Sequence, residues 1–125
     1  MRNTSIKTYK DLIVWQKAHS LAKQVIMLCR HFPHSDEARV IKKQLIRSST
    51  SVPANIAEGH GGHQGKEYQH YLTIARRSAN EMDYWVLLAH DLKYISAEDY
   101  SQLEENCREI IMMLSSIIGK LRDKK

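Results

Sequence analysis

The 125 residues, 42% hydrophobic and 26% charged, suit one compact domain and lack the apolar poverty that keeps a chain disordered. Nineteen Lys and Arg against 14 Asp and Glu leave a net charge of +5, which permits a polyanionic partner without requiring one. The excess is local: residues 1–35 hold six basic residues and one acidic, whereas 36–61, 62–95 and 96–125 carry +1, 0 and −1.

No run of about 18 apolar residues is present, and the first 20 positions, with Arg2, Lys7, Lys10, Asp11 and Lys17, contain no signal-peptide core. A cytoplasmic protein without a membrane partner is the expectation. Cys29 and Cys107 stand in apolar-patterned stretches without a C-x-x-C and read as small buried hydrophobes, not as a bridge. Two prolines and five glycines, four of the glycines within 59–65, imply long regular elements, and the helical period recurs in every segment. The expected architecture is all-α: a short flexible tail over 1–8, then one antiparallel up-down-up-down four-helix bundle over 9–125.

The first helix is expected over about 10–31. Leu12, Trp15, His19, Ala22, Ile26 and Cys29 form one stripe, and Val14, Ala18, Leu21, Val25, Leu28 and Phe32 an adjacent one. A face that wide exceeds what a small bundle needs and suggests an intermolecular surface as well. Pro33 closes the element.

The second helix is expected over 36–59, opened by Ser35 or Asp36 with Asp36 and Glu37 at the positive dipole end, and buried through Ile41, Leu45, Ser48, Val52 and Ile56. Pro53 removes a hydrogen bond and clashes with the Ser49 carbonyl, so a kink or a break is expected there, with the hydroxyls of Ser48, Ser49, Thr50 and Ser51 available to the freed backbone.

The third helix, about 65–92, turns inward Tyr68, Tyr71 or Leu72, Ala75, Ser78 or Ala79, Met82, Trp85 or Val86, and Ala89. The fourth, about 97–122, opens on a capping-box-like Ser96-Ala97-Glu98-Asp99. Tyr100, Leu103, Cys107, Ile110, Leu114, Ile117 and Leu121 then follow a coiled-coil-type spacing.

Catalytic chemistry finds little support. The glycine-rich Gly59–Gly65 segment matches neither the Walker pattern nor G-x-G-x-x-G and follows no strand, so it reads as a helix terminator and turn. His63, Glu67 and His70 fall at i, i+4 and i+7, with His60 nearby, but H-E-x-x-H is absent, and seven scattered histidines produce such coincidences. No G-x-S-x-G elbow or base-and-acid pair accompanies the hydroxyl run. The chain reads as a non-enzyme with no metal and no cofactor.

The basic residues give a broader signal. Lys10 and Lys17 share one side of the first helix and Lys23 and Arg30 another, Arg39, Lys43 and Arg47 recur along the second, and Arg76 and Arg77 form a doublet on the third. Such groups neutralise phosphates while Tyr or His rings stack on bases, giving salt-sensitive binding of low sequence preference. Taken singly, each reads first as a solvated polar residue; an oligomer would multiply a weak patch.

The string QLIRSSTSVPANIAEGHG (Gln44–Gly61), preceded by DLIVWQKAHSLAKQV (Asp11–Val25) and followed by EYQHYLTIARRSANE (Glu67–Glu81), resembles the four-helix-bundle proteins encoded in 23S rRNA intervening sequences. That family includes the accessory variability determinants of diversity-generating retroelements. The likeness spans roughly residues 9 to 95, with SVPANIAEG as its most specific part. It implies a homopentameric barrel with a positively charged surface and no known catalysis and, for the retroelement branch, binding to RNA or DNA and to a reverse transcriptase. Arg47, Ser51, Asn55, Glu58 and Gly59 occupy matching motif positions, and their chemistry suggests a polar network about Pro53, with Arg47 paired to a carboxylate. Two departures stand out. Gly62 replaces a basic residue common after the turn, and Arg77-Ser78 replaces a Gly-Ser pair, which leaves close packing at Ser78 open.

The leading expectation is therefore a non-catalytic oligomeric accessory protein that contacts nucleic acid through Lys10, Lys17, Lys23, Arg30, Arg39, Lys43, Arg47, Arg76 and Arg77. The rival is a protein-interaction module using the first and fourth helices. A metal-dependent enzyme using His60, His63, Glu67 and His70 is a distant third.

Overall fold

The computed structural model describes residues 6–61 and 65–123. A 3₁₀ turn, Tyr9–Asp11, leads into four helices: α1 (Ile13–Cys29), α2 (Asp36–His60), α3 (Lys66–Asp91) and α4 (Ala97–Arg122). No strand occurs among the described residues.

Pairs of residues across the α2–α3 and α3–α4 interfaces show these helices to be antiparallel. Along α2 and α3, Gly59 meets Tyr68 and Tyr71, the Ser51 hydroxyl meets that of Ser78, and Arg47 meets Glu81, so one index rises as the other falls. Cys107 to Ala79 and Arg76 to Ser115 give the same sense for α3 and α4. α2–α3 is the most extensive interface and α1–α4 the least.

The first helix departs from expectation. Instead of running from residue 10 to 31, it is preceded by a separately capped 3₁₀ turn. The Thr8 hydroxyl accepts the Lys10 N–H at 3.2 Å, and the Asp11 carboxylate accepts the N–H groups of Lys7 (2.8 Å) and Thr8 (3.1 Å). Leu12 is extended, and α1 starts only at Ile13. At its far end, Arg30, His31 and Phe32 continue in tighter i to i+3 bonds before Pro33.

The other boundaries lie within one residue of their expected places because their chemistry is local. Ser35 and Ser96 cap α2 and α4, accepting the N–H groups of Ala38 (3.2 Å) and Asp99 (3.1 Å). α3 follows Gly65, whose φ of +65° suits glycine.

α2 passes through Pro53 undivided. The hydroxyls before it serve a different group from the one anticipated. Ser48, Ser49 and Thr50 donate to carbonyls of residues 44–47, a turn earlier than the Ser49 carbonyl that proline frees.

The core joins Val14, Ala18, Leu21, Val25 and Cys29 to Leu45, Val52, Ile56, Leu72, Ala75, Ala79, Met82, Val86, Leu103, Cys107, Ile110 and Leu114. On α3 the inward choices are Leu72, Ala79 and Val86. On α4, Ile118 is buried where the coiled-coil register pointed to Ile117 and Leu121, both of which sit half-buried at the edge. The reason is periodicity: a straight helix of 3.6 residues per turn drifts about 20° per heptad from the 3.5 repeat, so by the third heptad the core-facing position has moved on.

Candidate nucleic-acid interface

The family-like motif lies at the α2–α3 contact and is architecture first. Arg47 spans Gln44 on its own helix, with Nε and Nη2 donating to Oε1 at 2.9 and 2.7 Å, and Glu81 on α3, to which Nη2 donates. The Trp85 indole N–H donates to the same Glu81 oxygen at 3.0 Å. That indole bond, and then Arg47, hold the Glu81 carboxyl below its ordinary range against the opposing effect of burial.

One turn along, the Ser51 and Ser78 hydroxyls lie 2.8 Å apart, and Asn55 donates to the Ser51 carbonyl and hydroxyl at 2.8 and 3.0 Å. Close approach at Ser78 is thus kept despite Arg77, whose side chain is exposed. Gly59 is buried where any side chain would collide with Tyr71, whereas Glu58 points to solvent. Pro53 is buried and lines a groove shared with α1.

The nine candidate cations are spread over the turn before α1, α1 and its C-cap, α2 and α3, and four of them have partners within the chain. Lys17 faces α4 and pairs with Glu109 at 3.4 Å, and Arg39 pairs with Asp36 at 2.9 Å. Arg47 belongs to the network above, and Arg76 donates to Ser115 on α4 at 3.2 Å. Lys43 and Arg77 are exposed on separate helices. Lys10, Lys23 and Arg30 remain as exposed cations on or beside α1.

Of these, Lys23 lines a groove of about 310 Å³ between α1 and α2, together with Tyr9, Trp15, His19, Ala22, Ile26, Thr50, Pro53, Ala54 and Ala57, and the Lys10 ammonium lies near the Tyr9 ring. Arg30 lies one turn beyond Ile26 on the same face. Half of the wide α1 face expected from the sequence is therefore the core stripe, and the other half lines this groove. The outward side of the Pro53 motif forms its opposite wall. Trp15 and His19 read from sequence as an apolar stripe; their spacing of four was the available signal that they stack. Lys42, outside the nine candidates, lies close enough to Cys29 to act on it electrostatically.

Of the histidine group, the described rings have aromatic neighbours. His60 packs edge-on to Tyr68 and His70 to Tyr71, while His63, like Gly62, lies outside the described residues. Among the described residues no three His, Cys, Asp or Glu side chains are placed to hold a metal. Cys29 and Cys107 are free and buried; burial pushes their thiols up to about 11 and about 12. No described helix is long and apolar enough to cross a membrane.

These features define an antiparallel four-helix bundle with a serine, asparagine and glycine-lined α2–α3 seam and a cation-flanked groove on α1. The model of the 23S rRNA-intervening sequence protein family matches residues 10–116, and the chain belongs to that family. A crystal structure of a protein of unknown function from the S23 ribosomal protein family of Bacteroides thetaiotaomicron is similar at TM-score 0.79 and 32% identity, covering 85% of this chain and 98% of that one. Comparison with curated proteins finds no match.

Proposed function

We propose that the protein is a non-catalytic, oligomeric nucleic-acid-binding accessory protein. The observation that carries this reading is the concentration of the positive excess in residues 1–35, where Lys10, Lys23 and Arg30 stand exposed beside an aromatic-lined groove. Cations in that setting neutralise phosphates while rings take bases, without demanding a particular sequence.

A few unpaired cations per chain bind weakly, and closed-ring assembly would repeat them around one body. A homopentameric barrel is the assembly proposed, with RNA or DNA on its cationic surface, and a reverse transcriptase as protein partner in retroelement-type mutagenesis. The family's name ties its members to 23S rRNA insertions, which supports RNA as a first ligand to try.

Gel-shift binding at low salt, with native mass spectrometry of the free protein, tests both parts. Retarded RNA or DNA and a five-chain mass support the reading; no shift at low salt overturns it. One observation favours the protein-interaction alternative: Met112, 65% exposed, with Met113 and Ile117 forms a shallow apolar surface on α4. Capture of a reverse transcriptase by protein that shifts no RNA or DNA at low salt would support that alternative.

A further inference from the structure

The groove holds an arrangement that charge alone does not explain. Tyr9 meets Trp15 edge-on with ring centroids 5.0 Å apart, and Trp15 lies nearly parallel to His19, 4.7 Å between centroids and 10° between planes. His19 is exposed, so its imidazole, stacked by one face on Trp15, is reachable from solvent. The floor beneath is made of small groups, Pro53 and Ala54 of α2 among them. At about 310 Å³ the cleft sits at the lower end of ligand-sized pockets.

The charge on its lining is positive. Lys23 lines it, and the Lys10 ammonium lies 6.0 Å from the centroid of the Tyr9 ring, which lines it too. None of the described lining residues is acidic. Asp11, close in sequence, turns its carboxylate onto the Lys7 and Thr8 N–H groups. A purely apolar partner helix gains nothing from two ammonium groups or from a reachable imidazole. A planar ring between negative charges uses all three.

We infer that the α1–α2 groove is a stacking platform for unpaired bases of single-stranded RNA or DNA: a base lies on the face of His19 turned away from Trp15, and the neighbouring phosphates meet Lys10 and Lys23. This rests on the nucleic-acid reading above and narrows it, because a base inside a duplex has no free face to offer. Trp15 backs the imidazole and fixes its plane, and Tyr9 braces Trp15 from the edge.

Fluorescence anisotropy of the full chain tests it, using labelled oligo(U), oligo(dT) and a blunt duplex of equal phosphate number at low salt. The wild-type chain binds the single strands more tightly than the duplex. His19→Ala, at an exposed site and with an unchanged melting temperature, weakens single-strand binding about tenfold and leaves duplex binding as it was. His19→Tyr, which keeps a ring, retains most of the affinity.

Equal losses on strand and duplex, or no loss in His19→Ala, overturn the platform while leaving nucleic-acid binding in place. A second copy of the chain in the groove would show instead as a lower sedimenting mass for His19→Ala with strand binding intact, which also overturns it. If the wild type binds none of the three probes, the proposed function falls and the platform falls with it.

Discussion

A Cβ built on Gly59 would stand 2.9 Å from the Cβ of Tyr71 and 3.1 Å from Cδ1 of Tyr68, so α2 and α3 meet at this point with no room for a side chain. Because the Tyr71 Cβ is fixed to its backbone, it cannot swing aside as a side-chain tip would. Gly59→Ala is expected to destabilise the fold by about 1–2 kcal/mol, overpacking outweighing alanine's better helix propensity. Gly119 supplies the contrast: within α4, the nearest atom to a Cβ there is an Arg122 nitrogen at 4.0 Å. Gly119→Ala should stabilise by about 0.5–1 kcal/mol. Urea denaturation of both variants reads the opposite signs.

The Ser51–Ser78 hydroxyl pair, together with Asn55, joins the same two helices about two turns away. Ser51→Ala removes both hydroxyl bonds and is expected to cost about 1–2 kcal/mol. A double-mutant cycle with Ser78→Ala should return a coupling of about 0.5–1.5 kcal/mol. A coupling near zero would mean that the two hydroxyls do not act on each other.

Two acids two positions apart on α3 should respond to pH in opposite ways. The Glu81 carboxyl is held below its ordinary value by the Trp85 indole and Arg47, so its contribution is present at neutral pH and is lost as the solution is acidified through and below the usual carboxylate range. Burial first, and then Glu104, push the Asp83 carboxyl up, with Arg108 opposing. Ionised Asp83 therefore costs stability, and that cost develops as pH rises above its ordinary value of 3.8. In melting curves across pH, Glu81→Gln should lower the neutral melting temperature and flatten the acid limb, whereas Asp83→Asn should raise the neutral value and converge with wild type in acid.

Neither cysteine should react in the native protein. Cys29 and Cys107 are both 2% exposed or less, burial raises both thiols far above neutral pH, and the Cys107 thiol donates to the Ala79 carbonyl at 3.2 Å. A thiol reagent at mildly alkaline pH should label both only as urea unfolds the chain. Rapid labelling of either in native buffer would place that thiol at the surface.

The helices were legible where caps and periodicity act over a few residues, as at Ser35 and Ser96. The start of α1 was missed because the Thr8–Asp11 capping pair closes a separate turn that competes with the helix, and both endings satisfy the same apolar spacing. The site was legible only by residue type. Arg47 needs a carboxylate, but choosing Glu81, 34 positions away, requires the α2–α3 register. The cations likewise fall on helix faces by periodicity, yet packing decides which way each face turns: it gives Lys17 to Glu109 and leaves Lys23 at the groove.

The most direct measurement is the salt dependence of single-stranded RNA affinity, in the wild-type chain and in a Lys10→Gln/Lys23→Gln variant. Cations repeated around one body should lower wild-type affinity at least tenfold between about 50 and about 200 mM salt, and the variant should bind more weakly with a shallower slope. Salt-independent binding, or a slope the variant leaves unchanged, would contradict phosphate recognition by the α1 cations.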